Sequence, residues 1–313
     1  MKISVLSGGT GTPKLIQGLK EVIPQKDISV IVNTGEDTWI GDLYLSPDVD
    51  TVLYTLTDLI NEETWYGIRG DTFYCHEQLK KLGFDEVLRI GDKDRALKMH
   101  KTHFLKKGFK LSEVIDMERK ALGIEAEVYP MTDDRVETKI LAKEGNEKVL
   151  LKFHDFWVKR RGNVDVVDVI YENAQYAKGC EGALKAIEKS DFVLIGPSNP
   201  ITSIGPILSI KDIKDALNDK FVVAVSPIVG DKAVSGPAGT LMKAKGLSVD
   251  VLGVYEFYKD IVDVMVIDEV DADKADKIKC ETLVTNTIMK TLNDKINLAK
   301  AILEFIRGYG CLC

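Results

Sequence analysis

Hydrophobic and polar positions repeat at two different periods along this chain, and the switches between them outline its elements. Residues 2–6 are a short apolar run ending at a glycine cluster, residues 13–22 carry an amphipathic helical pattern, and residues 28–32 are again apolar and β-branched. That β-α-β opening predicts a doubly wound start. The alternation then stops. Helical spacing dominates 34–125, with Val52, Leu53, Leu56 and Ile60 grouped in a helix over 51–60 and further helices over 72–82, 95–106 and 111–122. Residues 127–130, 136–142 and 149–157 read as extended, and Glu144-Gly145-Asn146-Glu147 between the last two predicts a β-hairpin.

From Gly182 the β/α rhythm resumes, with a helix over 183–189, a strand over 192–195, a helix over 210–217, a strand over 221–225 and a helix over 238–245. Strands at 262–267 and 282–284 and an amphipathic helix over 293–306 close the pattern. The expected fold is α/β: Rossmann-like and doubly wound, a mainly parallel sheet with a helical insertion after strand two and a β-hairpin. Residues 1–313 are expected to form a single α/β domain, with 34–125 as its insertion.

Composition narrows the class without naming a function. The 313 residues are 45% hydrophobic and 29% charged, which supports a large buried core and excludes a fibrous or disordered chain. No apolar run approaches the roughly 18 residues of a membrane span. Met1-Lys2 leads straight into the first strand, so no signal peptide is expected and the protein reads as cytoplasmic. The net charge of -7 argues against a broad nucleic-acid footprint, and Lys159-Arg160-Arg161, the tightest basic cluster, is expected in a solvated turn. Cys75, Cys180, Cys280, Cys311 and Cys313 are an odd count with no secretory signal, so a disulfide framework is not expected. His100 and His103 stand at helical spacing but lack a further ligand motif.

The glycine turn after the first strand carries the clearest chemistry. Gly8, Gly9 and Gly11 let backbone N–H groups and a helix N-terminus approach a phosphate. Lys14 stands where a dinucleotide fingerprint has its third glycine, and the second strand ends at Asn33 instead of an acid. Pro13 and Leu15 rule out a Walker A loop. Open α/β sheets bind ligands beyond the carboxyl ends of their strands. The loops 7–13, 33–50, 196–206 and 226–228 should therefore face one crevice.

Within them, Glu36, Asp37, Asp48 and Asp50 are four carboxylates of the kind that hold Mg²⁺ together with substrate phosphates. Asp48 or Asp50 would equally serve as the N-cap of a helix starting near Thr51. Arg89-Ile90-Gly91-Asp92-Lys93-Asp94-Arg95 precedes another helix, and Ser198 and Asn199 offer a hydroxyl and an amide opposite the glycine turn. Trp39, Trp65 and Trp157 are candidate walls for a flat heterocycle, Trp157 being expected in a strand and in the core.

Six segments in this order resemble the CofD family: Leu6-Ser7-Gly8-Gly9-Thr10-Gly11, Asn33-Thr34-Gly35-Glu36-Asp37, Pro47-Asp48-Val49-Asp50-Thr51, Gly91-Asp92-Lys93-Asp94-Arg95, Phe153-His154-Asp155-Phe156-Trp157 and Gly196-Pro197-Ser198-Asn199-Pro200. The resemblance implies transfer of a phospholactyl group from lactyl-diphospho-guanosine to the ribityl hydroxyl of 7,8-didemethyl-8-hydroxy-5-deazariboflavin, releasing GMP. It also implies Mg²⁺ and a homodimer, with small molecules as the partners. The donor would lie on Gly8, Gly9, Thr10, Gly11, Thr12, Lys14, Ser198 and Asn199, and the deazaflavin would meet Asp50 and Arg89. Asp37, Asp48 and Asp50 are then the expected metal ligands. Either Asp50 or Asp37 would orient and deprotonate the attacking hydroxyl. The fold is shared with YvcK-like proteins, so a nucleotide-sugar-binding regulator is the alternative.

Overall fold

The computed structural model describes residues 1–234 and 236–309. The chain opens with β1 (Ile3–Ser7), α1 (Gly11–Leu19) and β2 (Ile28–Val32), then leaves the sheet for a small hairpin, β3 (Thr38–Ile40) and β4 (Leu43–Leu45), and four helices. These are α2 (Pro47–Leu56), α3 (Tyr74–Lys81), α4 (Asp92–Lys106) and α5 (Leu111–Ala121). It returns as β5 (Glu127–Pro130) and then builds a separate antiparallel sheet from β6 (Glu137–Glu144), β7 (Glu147–Lys152) and β8 (Asp165–Glu172). The second half runs α6 (Glu181–Lys189), β9 (Phe192–Ile195), α7 (Gly205–Ser209), α8 (Lys211–Ala216), β10 (Val222–Val225), the short pair β11 (Ile228–Val229) and β12 (Lys232–Ala233), α9 (Ala238–Ala244) and α10 (Val251–Tyr258). It ends with β13 (Val264–Ile267), β14 (Glu281–Val284) and α11 (Leu292–Gly308).

Seven strands form one parallel sheet in the order β14-β13-β10-β9-β1-β2-β5. Helices cover both faces, which is why β1, β9, β10 and β13 are buried along their whole length and why the last three read as unbroken apolar runs, whereas β1 also carries the buried Ser4 and Ser7. Ile3 and Val5 point into the layer with α1 and α11, while Leu6 and Ile195 point into the layer with α6 to α10. The order reverses at β1, since β2 and β5 lie on one side of it and β9 onward on the other. Ligand crevices form at such reversals.

Several boundaries differ from the sequence expectation for physical reasons. Helix α2 starts at Pro47, four residues earlier than the apolar spacing suggests, because proline's fixed φ suits a first helical turn. Asp48 and Asp50 consequently sit inside that turn and Ser46 is the residue before it, so neither acid is the N-cap. Residues 149–157 do not stay extended: β7 stops at Lys152, and Asp155–Lys159 closes into a π-helical turn. The helix expected over 210–217 forms as α8, preceded by the separate short helix α7, and β3, β4, β8 and α10 had no clear periodic signal.

The hairpin forms as expected, with Glu144 opposite Glu147 and Gly145 at φ +62°. Lys159-Arg160-Arg161 lies in the turn after it, where Lys159 pairs with Asp155 and Arg160 with Glu144. Cys75, Cys180 and Cys280 are free thiols, while Cys311 and Cys313 lie outside the described residues. Among the described residues, no helix is long and apolar enough to cross a membrane.

Candidate active site

A cleft of about 420 Å³ opens at the carboxyl ends of β1, β2 and β9. One wall is the glycine turn: Gly9, Thr10 and Gly11 line it, and α1 begins at Gly11 without a side-chain cap from Thr10. Gly9 takes φ +58°, a conformation that favours glycine. The turn is welded to the loop after β9. A Cβ on Gly11 would stand 1.9 Å from the Pro197 carbonyl oxygen, and one on Gly196 would meet the Thr12 side chain at 2.2 Å.

Ser198 completes that weld. Its Oγ accepts from the Thr12 N–H at 2.9 Å, lies 2.7 Å from Thr12 Oγ1 and donates to the Gly8 carbonyl. The hydroxyls expected to touch the donor at Thr12 and Ser198 are thus spent on joining two loops. Asn199 differs. Its Oδ1 accepts from the Ile201 N–H at 3.0 Å, but its Nδ2 is buried without a partner at the cleft wall. Lys14 stands behind the turn, with Nζ 5.2 Å from the centre of the Trp65 ring; burial first, and the Lys295 charge second, lower its pKa.

The four carboxylates divide into two environments. Glu36 and Asp48 line the cleft. Asn33, at the end of β2, donates from Nδ2 to Asp48 Oδ2 at 2.9 Å and to the Thr202 carbonyl at 3.2 Å, while its Oδ1 accepts from the Gly35 N–H at 2.8 Å. Burial pushes the Asp48 carboxyl up to about 6 against the lowering effect of hydrogen bonds from Gly9 and Asn33. Glu36 is raised well above the ordinary range by burial, then by the neighbouring Asp48 and Asp37 charges. Two acids crowded at one cleft wall suit an oxygen-seeking cation.

Asp37 and Asp50 face elsewhere. Tyr44 donates to Asp37 Oδ2 at 3.0 Å and Ser46 donates to the same atom, so Asp37 braces β4 against the start of α2. Burial raises its pKa well above the ordinary range, with those hydrogen bonds and Lys101 opposing. Asp50 is buried between two lysines, with Lys101 Nζ at 2.6 Å and Lys98 Nζ at 3.1 Å.

Although burial acts the other way, those lysines hold Asp50 below the usual carboxylate range. Two ammonium groups already occupy the place a metal would take, so Asp37, Asp48 and Asp50 do not converge as the three-acid set expected from sequence. Among the described residues, no group of three or more His, Cys, Asp or Glu side chains is arranged to hold a metal ion.

The far wall is aromatic. Trp65 and Tyr66 line it from the loop after α2, and Phe153, His154 and Trp157 line it from the turn after β7. Trp157 is 39% exposed at the cleft, not in a strand and not in the core, because the chain turns there. Burial lowers the His154 pKa to about 4. Trp39 stands apart on the β3–β4 hairpin, packed edge-on against Tyr44. Leu88 lines the rim, and Arg89 beside it lies over the Phe73 ring at 3.8 Å and faces Glu77 at 3.8 Å. Asn33 and Tyr66 are the residues that sequence reasoning left out of the site; Asn33 stood in a quoted motif, whereas Tyr66 carried no signal, and Glu36 stood among the four candidate carboxylates but outside the expected three-acid metal set.

Residues 3–301 match the family model of 2-phospho-L-lactate transferase CofD. The chain belongs to that family. It is 75% identical over 303 residues to a 2-phospho-L-lactate transferase of Methanocaldococcus jannaschii, covering 97% of each chain. It is 50% identical to that of Methanopyrus kandleri, covering 98% of each chain. Among solved structures, a UPF0052 family protein of Bacillus halodurans superposes with a TM-score of 0.67 at 17% identity, covering 96% of this chain and 98% of that one. That last likeness is one of fold.

Proposed function

We propose that this cleft carries out 2-phospho-L-lactate transfer, from a lactyl-diphospho-guanosine donor to the ribityl hydroxyl of the deazaflavin acceptor. The single observation that carries the reading is 75% identity along nearly the whole chain to a transferase of that name. The hydroxyl oxygen bonds to the lactyl-bearing phosphorus and gives up its proton to solvent in the open cleft, the diphosphate P–O bond breaks, and GMP leaves. In this reading the protein is a cytoplasmic homodimer, and the insertion over 34–125 forms the acceptor side of the site.

The donor diphosphate lies on the N–H groups of Thr10 and Gly11 at the start of α1, where the helix dipole favours negative charge, while the Gly9 N–H is engaged by Asp48. Asn199 Nδ2 donates to the nucleotide, which gives that buried amide its missing partner. Glu36 and Asp48 are the acids that would hold Mg²⁺, whose chemistry there would be neutralisation of phosphoryl charge. Asn33 and Gly9 fix the Asp48 carboxylate for that task. Transfer of this kind asks the protein mainly for alignment and charge balance. Trp157 supplies flat apolar surface for the deazaflavin ring, and Arg89 stands beside Leu88 at the rim. Asp50 acts on the acceptor side through its lysines as a positioning residue.

The test is GMP release with deazaflavin as acceptor, in the presence of Mg²⁺ and of a chelator. Release that needs both acceptor and metal supports the reading. Release without metal removes Glu36 and Asp48 as metal ligands, and no release with either additive removes the activity.

A further inference from the structure

Pro47, Thr51 and Tyr66 line two neighbouring spaces at once. One is the cleft; the other is a cavity of about 10 Å³ completed by Asp50, Tyr54, Asp94 and Lys98. Two atoms around it are conspicuous among the described residues: the Tyr66 hydroxyl and Oδ2 of Asp94 are both shut off from solvent and both lack a hydrogen-bond partner. The other oxygen of Asp94 is fully engaged, accepting from the Tyr54 hydroxyl at 2.5 Å and from Lys98. Native chains leave few buried polar atoms unpaired, so a donor and an acceptor left together call for one shared partner.

Size and chemistry narrow that partner. It must accept from a phenol and donate to a carboxylate, which a hydroxyl does and a phosphate or an aromatic ring does not. About 10 Å³ is the room one water-sized group needs. The wall that presents Tyr66 is also held in an uncommon shape. Trp65 takes φ +53° and Gly67 φ +70°, in a turn closed by the Trp65 N–H donating to the Asn61 carbonyl at 2.7 Å and the Asn61 N–H to the Gly67 carbonyl at 3.0 Å. Left-handed backbone at a bulky residue persists only where its surroundings hold it, and such residues gather at ligand sites.

We propose that Tyr66 and Asp94 form a subsite for one non-reacting hydroxyl of the acceptor's polyol arm, and that this contact sets acceptor specificity. The inference rests on the reading of the cleft as a deazaflavin transferase site. The Asp50–Lys98–Lys101 cluster then holds Asp94 in place for the contact, since Lys98 bridges the two acids.

The experiment compares wild type with Tyr66→Phe, a change that removes one oxygen atom with no partner in the chain. Both are assayed with the deazaflavin and with analogues lacking single ribityl hydroxyls. The expected result is an acceptor KM raised about tenfold in Tyr66→Phe, an unchanged donor KM and an unchanged melting temperature. One deoxy analogue should be penalised in wild type and not in the variant. An unchanged acceptor KM, or an equal penalty in both proteins for every analogue, overturns the subsite and leaves the cavity to water. If wild type neither binds the deazaflavin nor releases GMP with it, the transferase reading itself falls, and the subsite with it.

Discussion

Lys101 donates from Nζ to Oδ1 of Asp50 at 2.6 Å, and neither side chain reaches solvent. The pair joins α2 to α4 across 51 positions of sequence. Lys98 takes the second oxygen of Asp50, and Glu118 of α5 lies 3.4 Å from Lys101, so the insertion is organised around buried charge. Breaking one partner of such a cluster leaves the others buried and unpaired, which is far costlier than the loss of a surface pair.

Asp50→Asn should therefore cost stability, not activity alone. The expected loss is about 3–5 kcal/mol, the range for breaking a buried ion pair. Because the folded chain holds the Asp50 pKa below its unfolded value of 3.8, its contribution is present above that value and disappears as pH falls through the lowered one. Thermal melts from neutral to strongly acid pH should show wild type and Asp50→Asn converging at the acid end. Equal melting temperatures at pH 7 would show that the lysines do not depend on Asp50.

Asp48 has the opposite sign. Its folded pKa of about 6 lies above the ordinary 3.8, so the protonated form is favoured in the fold. That contribution is complete below pH 3.8 and is lost as pH rises through about 6. Asp48→Asn should remove this loss, and Mg²⁺ should stabilise wild type chiefly above pH 6, where the carboxylate is free of its proton. Melting curves across pH 4–8 with and without Mg²⁺ measure both; an effect of Mg²⁺ that is undiminished at pH 4 would contradict the assignment.

Gly11 and Gly9 should fail differently. Any side chain at Gly11 meets the Pro197 carbonyl, a backbone group that cannot move aside, so Gly11→Val should lower the melting temperature steeply and abolish donor binding through the fold. Gly9→Ala meets only the Ser203 hydroxyl, at 2.8 Å, and bears the strain of φ +58°. It should lose about 1–2 kcal/mol and stay folded, with a weakened donor constant by calorimetry. A folded, stable Gly11→Val would show that the two loops can part.

Trp157→Ala should leave stability nearly unchanged, because the ring is 39% exposed at the cleft. The acceptor KM should rise while the donor KM holds. A large drop in melting temperature would instead return Trp157 to a packing role.

The sequence by itself determined the class of fold and most of the parallel sheet. A parallel strand buried on both faces is near-continuously apolar, so residues 192–195 and 222–225 announce themselves without their neighbours. The glycine turn was legible for a related reason: close backbone approach and a left-handed φ exclude most side chains locally. Family membership was legible too, from six short motifs in order.

Only the tertiary structure decided what each acid does. Asp48 and Asp50 stand two positions apart on one helix, and a helix turns such neighbours toward different sides. One faces the cleft beside Glu36, and the other faces lysines that arrive from α4, 48 and 51 positions later. The same holds for Ser198, whose hydroxyl is committed to Thr12 and Gly8 by a contact spanning nearly 190 positions. Charge pairing and hydrogen bonding depend on distance in space, and local periodicity carries no record of it.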